Sequence, residues 1–456
     1  MATNKTLAEL KQEAAASEAR NTLFSFFDEG GFNELSPYAG ESVVTGYGQV
    51  DGSALVYAFM QDISVKSGAV CKAAAQKIVR LYQSAVKNGA PVVAIYDSKG
   101  GDASEGAELL KAYGDIACAS AALSGVAPQI AIVTGVCGGM SAVLAAMADF
   151  VIMTEKAELF LTPPFVSSDN TEGAGTAKSA ALSGVSCITV KDSDEAIKKA
   201  KELIAILPQN NMGVGGNDRF AMPSEAFDAS LKGEAAVRTI ADGDSLTELF
   251  ADFGKASYVA LGSINWKTTG FVATNKTDDK LTSEDAAKIA RFVGICDAFS
   301  IPVVTVVDSE GFEAGGAAEL AGSVRNAAKL VQVYASATTP KISIITGNAL
   351  GGIFTAFCGA NSDMTIALEQ AVIAPLAPKA AAVFLYSDRC ETKEELDKAA
   401  LDYAAGEASA FNAMNKGLID ILAAPEEVWT AVNSAMDALS DKRIIAPSRK
   451  HINFVY

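Results

Sequence analysis

Two short apolar runs organise the reading of this chain. Residues 91–97, Pro-Val-Val-Ala-Ile-Tyr-Asp, and residues 302–308, Pro-Val-Val-Thr-Val-Val-Asp, are nearly unbroken hydrophobic segments closed by an aspartate. A continuous run, rather than an alternating one, is the pattern of a parallel strand buried on both faces. A glycine-containing loop follows each, Ser98-Lys99-Gly100-Gly101 and Ser309-Glu310-Gly311-Phe312. Alanine-rich stretches then predict helices over 104–123 and 316–336. Pro128 and Pro340 next introduce apolar strands over 129–134 and 341–346. Both strands run into a Gly-Gly pair, Gly138-Gly139 and Gly351-Gly352, which opens an uncharged helix. The order strand, loop, helix, strand, Gly-Gly occurs twice at nearly constant spacing, so the chain is a tandem duplication of one α/β unit.

The pattern divides the chain into a polar leading helix over 1–22, a first domain over 23–207, a linker over 208–223 and a second domain over 224–456. The join is marked by Pro208 followed by Gln-Asn-Asn-Met-Gly-Val-Gly-Gly-Asn, a cluster of turn-forming residues. Just before it, residues 192–207 predict an amphipathic helix with Lys198, Lys199 and Lys201 on its wet side. A closing helix is expected over 426–439.

Composition narrows the function classes. Half of the 456 residues are hydrophobic and 20% are charged, which excludes a disordered chain. The net charge of −17 has the wrong sign for a nucleic-acid or anionic-membrane surface. Two uncharged stretches, 116–148 and 342–362, are long enough to suggest membrane spans, but Gly, Ser and Thr interrupt both. They read as strand, turn and buried helix. Seven cysteines without a Cys-x-x-Cys argue against a disulfide scaffold or zinc ribbon and for a reduced, cytoplasmic protein. The single histidine, His451, leaves almost no room for a histidine base or a multi-histidine metal site, and no metal is expected.

A Gly-Gly pair between strand and helix has a plain reading, since small residues let a helix start close to a sheet. Its chemical reading is an oxyanion hole, in which backbone N–H groups at the helix start face a carbonyl that gains negative charge. Two such pairs at equivalent positions of a duplication favour the second reading. Glu105 and Glu319, behind the glycine loops, read as first-turn helix acids. Asp97 and Asp308 read as turn formers or caps. Cys137 reads as a small core residue, and Lys66, Lys72 and Lys178 as surface lysines.

These features carry a resemblance. Each half resembles the crotonase-like domain. The whole resembles the carboxyltransferase (beta) subunit of biotin-dependent acyl-CoA carboxylases and the alpha subunit of sodium-pumping acyl-CoA decarboxylases. The landmarks are Phe27-Asp28-Glu29-Gly30, Val44-Thr45-Gly46-Tyr47-Gly48, Gln61-Asp62, Asp97-Ser98 with Glu105-Gly106, Cys296-Asp297-Ala298-Phe299, the 308–312 loop and the tail Pro447-Ser448-Arg449-Lys450-His451. The resemblance implies two tandem crotonase-like domains, the first holding an acyl-CoA and the second the biotin of a separate carrier protein. It also implies a homo-oligomer whose first and second domains face each other across chains. The further partner would be a biotin carboxylase or a membrane sodium-pump decarboxylase subunit, the latter attaching the protein peripherally to a membrane complex.

Carried over by position, the first oxyanion hole would use amides among Gly138, Gly139 and Met140, with Gly100 and Gly101 opposite. The second would use amides among Gly351, Gly352 and Ile353, with Gly311 and Phe312 opposite. Met414-Asn415-Lys416 lacks the far-side methionine of a biotin attachment site, so biotin must arrive on another chain. The chain departs from the family pattern at several places. Met140-Ser141 follows Gly139 where a second glycine and an alanine are usual, and Lys99-Gly100-Gly101-Asp102 lacks the usual loop arginine. Cys71-Lys72-Ala73-Ala74 and 377–381 differ as well. A crotonase-type thioester enzyme working without biotin, and a scaffold subunit without catalysis, therefore remain alternatives.

Overall fold

The computed structural model describes residues 6–15, 17–37, 42–52, 54–166, 173–216, 222–223 and 225–444. The chain forms two compact units, residues 1–215 and 216–456. The first unit has strands β1 (Asn33–Glu34), β2 (Val43–Val50), β3 (Ala54–Gln61), β4 (Val92–Ser98), β5 (Gln129–Gly138), β6 (Phe150–Thr154), β7 (Glu158–Phe160) and β8 (Ile188–Val190). They form one sheet in the order β1-β2-β3-β4-β5-β6-β8, with β7 paired to the far end of β5. The β2–β3 hairpin is antiparallel, and every pairing from β3 to β8 is parallel.

The second unit repeats this plan with β9 (Thr247–Glu248), β10 (Tyr258–Ile264), β11 (Lys267–Ala273), β12 (Val303–Ser309), β13 (Lys341–Leu350), β14 (Met364–Leu368), β15 (Val372–Ala374) and β16 (Ile421–Ala423). The order is β9-β10-β11-β12-β13-β14-β16, with β15 on the far end of β13. Identical strand order confirms the duplication. Strands β5 and β13 each run four residues beyond the sequence expectation, because their second halves find a new partner in β7 and β15.

Helices cover the apolar sheets. In the first unit, helix Lys72–Asn88 turns Ala74, Ile78, Leu81 and Ala85 inward at helical spacing, against Phe59, Val92 and Ala94. Its second-unit counterpart is helix Ser283–Ala298, started by a capping box between Thr282 and Asp285. Each of these helices buries one lysine at an equivalent place. Lys77 Nζ donates to Val43 O at 2.8 Å. Lys288 Nζ donates to Gly254 O at 3.0 Å and Ser257 O at 2.8 Å. Burial pulls both ammonium groups down to about 8, since low polarity disfavours the charge.

Three helical expectations change. The leading segment is two helices, Leu7–Ala15 and Glu18–Phe26, because Ser17 takes an extended conformation and caps the second through Arg20 N–H. The helix over 316–336 is broken into Gly316–Leu320 and Ser323–Ser336 where Gly322 adopts φ +86°. Lys201 is not purely solvated: it donates to Ser25 O at 3.3 Å and lies over the Phe26 ring.

Candidate functional site

Strand pairing is interrupted at the same place in both units. Between β4 and β5 the register runs Tyr96 to Val133 and then Ser98 to Cys137, so two steps on one strand face four on the other. Between β12 and β13 it runs Val307 to Ile345 and then Ser309 to Ala349, the same mismatch. Such a bulge leaves backbone groups unpaired and bends the chain. An aspartate fills each gap. Asp97 Oδ1 accepts from Val136 N–H at 3.3 Å, and Asp308 Oδ1 accepts from Asn348 N–H at 2.7 Å. The facing residues are Gly135 and Gly347, where a side chain would begin only 2.2 and 2.3 Å from the carboxylate oxygen. Burial raises the Asp97 carboxyl above its ordinary range. The expectation of turn formers or caps thus becomes a brace across two strands.

The loop after each aspartate is fixed by a serine. Ser98 Oγ donates to Gly100 O at 2.9 Å and accepts Gly100 N–H at 3.1 Å; Ser309 does the same with Gly311 at 3.3 and 3.4 Å. The loop then pairs outward. Val70 N–H donates to Gly100 O and Asp102 N–H to Val70 O, while Leu281 N–H donates to Gly311 O and Glu313 N–H to Leu281 O. Gly100 and Gly311 have their amides engaged, so they are not free donors. Gly101 N–H and Phe312 N–H have no hydrogen-bond partner among the described residues.

The helix starts show which glycine does what. Gly139 (φ +62°) and Gly351 (φ +52°) are the N-caps of helices Met140–Ala146 and Gly352–Phe357. Both occupy a region that only glycine enters freely. Their own N–H groups are taken, by Phe160 O and Ala374 O, each at 2.9 Å. The two Gly-Gly pairs are therefore one residue out of frame. Gly139 matches Gly351, and Met140 matches Gly352. Gly138 is the last residue of β5, packed so closely that a side chain there would begin 2.6 Å from the Phe160 ring. Gly139 and Gly351, whose amides are engaged, thus leave the donor set, while Gly138 lies inside β5 ahead of the helix start. The unengaged helix-start amides are those of Met140 and Ser141 in the first unit and Gly352 and Ile353 in the second, as the first turn of a helix requires.

Loop and helix start meet in the second unit. A side chain on Gly352 would begin 3.2 Å from the Phe312 ring. In the first unit, Ser98 pairs with Cys137 two residues before Gly139, and Tyr113 Oη lies 3.3 Å from Ser141 Oγ. The second unit thus brings Phe312 toward Gly352, while in the first unit Gly101 and Met140 each lie three residues beyond the paired Ser98 and Cys137. Met140 leaves 43% of its surface exposed where the second unit has a bare glycine. In the second unit a cavity of about 660 Å³ opens beside Gly351, lined by Phe354, Thr355, Ile373, Tyr386, Tyr403 and Lys416 among others.

The remaining candidates resolve as follows. Glu105 is a first-turn acid, as expected, of the short 3-10 helix Ala103–Glu105, and its carboxylate also accepts Lys72 N–H at 2.6 Å, so it serves the start of the neighbouring helix Lys72–Asn88. Glu319 is exposed in helix Gly316–Leu320. Cys137 is fully buried, and burial pushes its thiol up to about 12, which makes it a core residue. Lys66 pairs with Asp102 at 3.7 Å and Lys72 with Glu108 at 3.0 Å, while Lys178 is exposed. Lys416 ends helix Ala410–Asn415 in an ion pair with Glu407. The 447–451 tail with His451 lies outside the described residues. Among the described residues there is no cluster of potential metal ligands, and no helix is long and apolar enough to cross a membrane.

Sequence reading missed Gly135, Gly347 and the two loop serines. A signal existed: a glycine four residues before the N-cap glycine, and Asp-Ser at the strand end, both recur in the two halves.

Known proteins resemble the chain over nearly its whole length. The carboxyl transferase domain model matches residues 18–454. The methylmalonyl-CoA decarboxylase alpha subunit of Propionigenium modestum is 32% identical, covering 97% of this chain and 94% of the relative. The mitochondrial propionyl-CoA carboxylase beta chain of Rattus norvegicus is also 32% identical, covering 92% and 81%. Among solved structures, the transcarboxylase 12S hexamer with hydrolysed methylmalonyl-CoA bound superposes with a TM-score of 0.90 at 29% identity, covering 98% of this chain and 94% of that one. The expected crotonase-like pair of domains is thereby confirmed. By its matched length, its duplicated fold and these relatives, the chain belongs to the carboxyl transferase domain family.

Proposed function

We propose that this chain is the carboxyltransferase component that moves a carboxyl group between a short acyl-CoA and biotin on a separate carrier protein. The observation that carries the reading is the duplicated pair of unengaged amides: Gly101 with Met140, and Phe312 with Gly352. Transfer needs two oxyanions stabilised, one on the thioester oxygen and one on the ureido oxygen of biotin. Two preorganised N–H pairs match that need. The relatives named for methylmalonyl-CoA and propionyl-CoA support a short acyl group.

In the carboxylating direction, the α-carbon of the acyl-CoA loses a proton and attacks the carboxyl carbon. The bond from that carbon to biotin nitrogen breaks, and the nitrogen keeps the electron pair and takes up a proton. The decarboxylating direction is the reverse. Met140 N–H and Gly101 N–H hold the enolate oxygen in the first unit. Gly352 N–H and Phe312 N–H hold the ureido oxygen in the second. The protein thus aligns two reactants and supplies fixed dipoles, with no imidazole required. The working form is a homo-oligomer in the cytoplasm. It is served by a biotin carrier and by either a biotin carboxylase or a membrane sodium-pump decarboxylase subunit, without a metal. The hexameric transcarboxylase 12S supports the oligomer.

The test incubates the purified chain with a 2-carboxyacyl-CoA and free biotin and follows the decarboxylated acyl-CoA. Biotin-dependent loss of the carboxyl group supports the reading. Its absence with every short acyl chain favours a scaffold, and hydration of an enoyl-CoA instead favours a hydratase.

A further inference from the structure

We propose that Asp97 and Asp308 are positioning residues, each tying together the two backbone segments that carry the two donors of its own oxyanion hole. This inference rests on the proposed carboxyl transfer and adds the groups that set its geometry.

In the first unit one donor, Gly101 N–H, comes from the loop after β4, and the other, Met140 N–H, comes from the helix after β5. The register of β4 and β5 shifts between Tyr96 and Ser98, and pairing resumes at Ser98 and Cys137 before the two segments part. Asp97 belongs to the first segment and accepts the N–H of Val136 in the second. Gly101 is four residues beyond Asp97, and Met140 is four residues beyond Val136. The second unit repeats each count. Phe312 is four residues beyond Asp308, Gly352 is four beyond Asn348, and Asp308 accepts Asn348 N–H at 2.7 Å. A cross-link equidistant from both donors, present twice, is the arrangement that fixes the spacing between them.

Two further features give the brace its precision. Gly135 and Gly347 leave no room for a side chain, so the carboxylate sits directly against the facing backbone. On the other side, Gly68 packs its α-carbon against Asp97 O, where a side chain would begin at 2.3 Å. Neither aspartate has a cationic partner in an ion pair among the described residues, so each acts as a hydrogen-bond acceptor and not as one half of a salt bridge.

The experiment uses the full chain. Asp97→Ala and Asp308→Ala remove the acceptor. Asp97→Asn and Asp308→Asn keep an oxygen that can accept the same N–H. Gly135→Ala and Gly347→Ala leave the aspartate but push it off its seat. Carboxyl exchange between a 2-carboxyacyl-CoA and free biotin is followed with each substrate varied in turn. The alanine variants at all four positions should lose roughly 10- to 100-fold in kcat, the scale of a misplacement of about 1 Å. KM for either substrate should change less than about twofold, because the lost alignment matters only in the transition state. The asparagine variants should recover most of kcat.

Hydrogen exchange supplies a readout independent of activity. Asp97→Ala should speed amide exchange in the peptide spanning 135–141 but not in 347–353, and Asp308→Ala should do the reverse. The proposal is overturned if the aspartate-to-alanine variants keep wild-type kcat, or if asparagine loses as much as alanine, which would point to the charge instead. If alanine at 97 or 308 prevents folding, the asparagine and glycine variants decide by the same criteria. If the wild type moves no carboxyl group, the functional reading fails. The brace is then judged by hydrogen exchange alone, and unchanged exchange in 135–141 sinks it.

Discussion

Replacing Gly352 by proline isolates one backbone donor. Gly352 is the first residue of helix Gly352–Phe357, the position where proline fits a helix without disrupting it. The residue before it, Gly351, sits at φ +52°, ψ −116°, the mirror image of the extended conformation that precedes proline, and glycine tolerates the mirror. The added β-carbon would stand 3.2 Å from Phe312 Cε2, so the ring must shift by a few tenths of an ångström. Gly352→Ala introduces the same β-carbon and keeps the N–H. The ratio of the two variants therefore cancels the steric term and reports the amide. An oxyanion donor is worth ~10²–10³ in rate, or about 2.7–4 kcal/mol. In carboxyl exchange with saturating acyl-CoA and biotin, Gly352→Pro should run about 100-fold or more below Gly352→Ala, with unchanged circular dichroism. A folded proline variant within about threefold of alanine would remove Gly352 N–H from the mechanism, since that gap is under 1 kcal/mol.

Other outcomes follow from the same geometry. Cys137, fully buried with its thiol pushed up to about 12, should resist iodoacetamide at pH 8 while exposed Cys118 reacts, as read by peptide mass spectrometry. Glu105→Gln should keep carboxyl exchange within a few-fold and lower stability by about 1 kcal/mol through the weakened helix start; a loss of about a thousandfold in rate would restore an acid/base role. Lys77 and Lys288 titrate near 8 when folded and near 10.5 when unfolded, so between those values the unfolded chain binds more protons and stability rises with pH. Denaturant titrations should show Lys288→Met removing a positive slope of up to about 1.4 kcal/mol per pH unit in that window, and an unchanged slope would contradict the burial argument.

Much of the fold was legible in the chain because buried parallel strands are hydrophobic on both faces. Repeated runs such as 91–97 and 302–308 announce themselves, and so does the duplication. The site was legible only to within a residue. A Gly-Gly dipeptide does not say which glycine takes positive φ. That depends on whether the preceding strand finds a partner, as β5 does in β7 through Gly139 N–H to Phe160 O. Glu105 shows the same limit: its place in the first turn of a short helix was legible, but its partner, Lys72 N–H, lies 33 residues away and is set by packing. The aspartate braces were hidden because their meaning lies in a register break between two strands, which local pattern does not reveal.

The proposed reaction moves one carboxyl group from an acyl-CoA to biotin or back. The direct measurement follows a ¹³C-labelled carboxyl group in a 2-carboxyacyl-CoA incubated with the purified chain and biotinylated carrier. Label should appear on biotin in one-to-one proportion to the decarboxylated acyl-CoA formed, with no decarboxylated acyl-CoA when biotin is omitted. Loss of label as carbon dioxide at the same rate with or without biotin would contradict it.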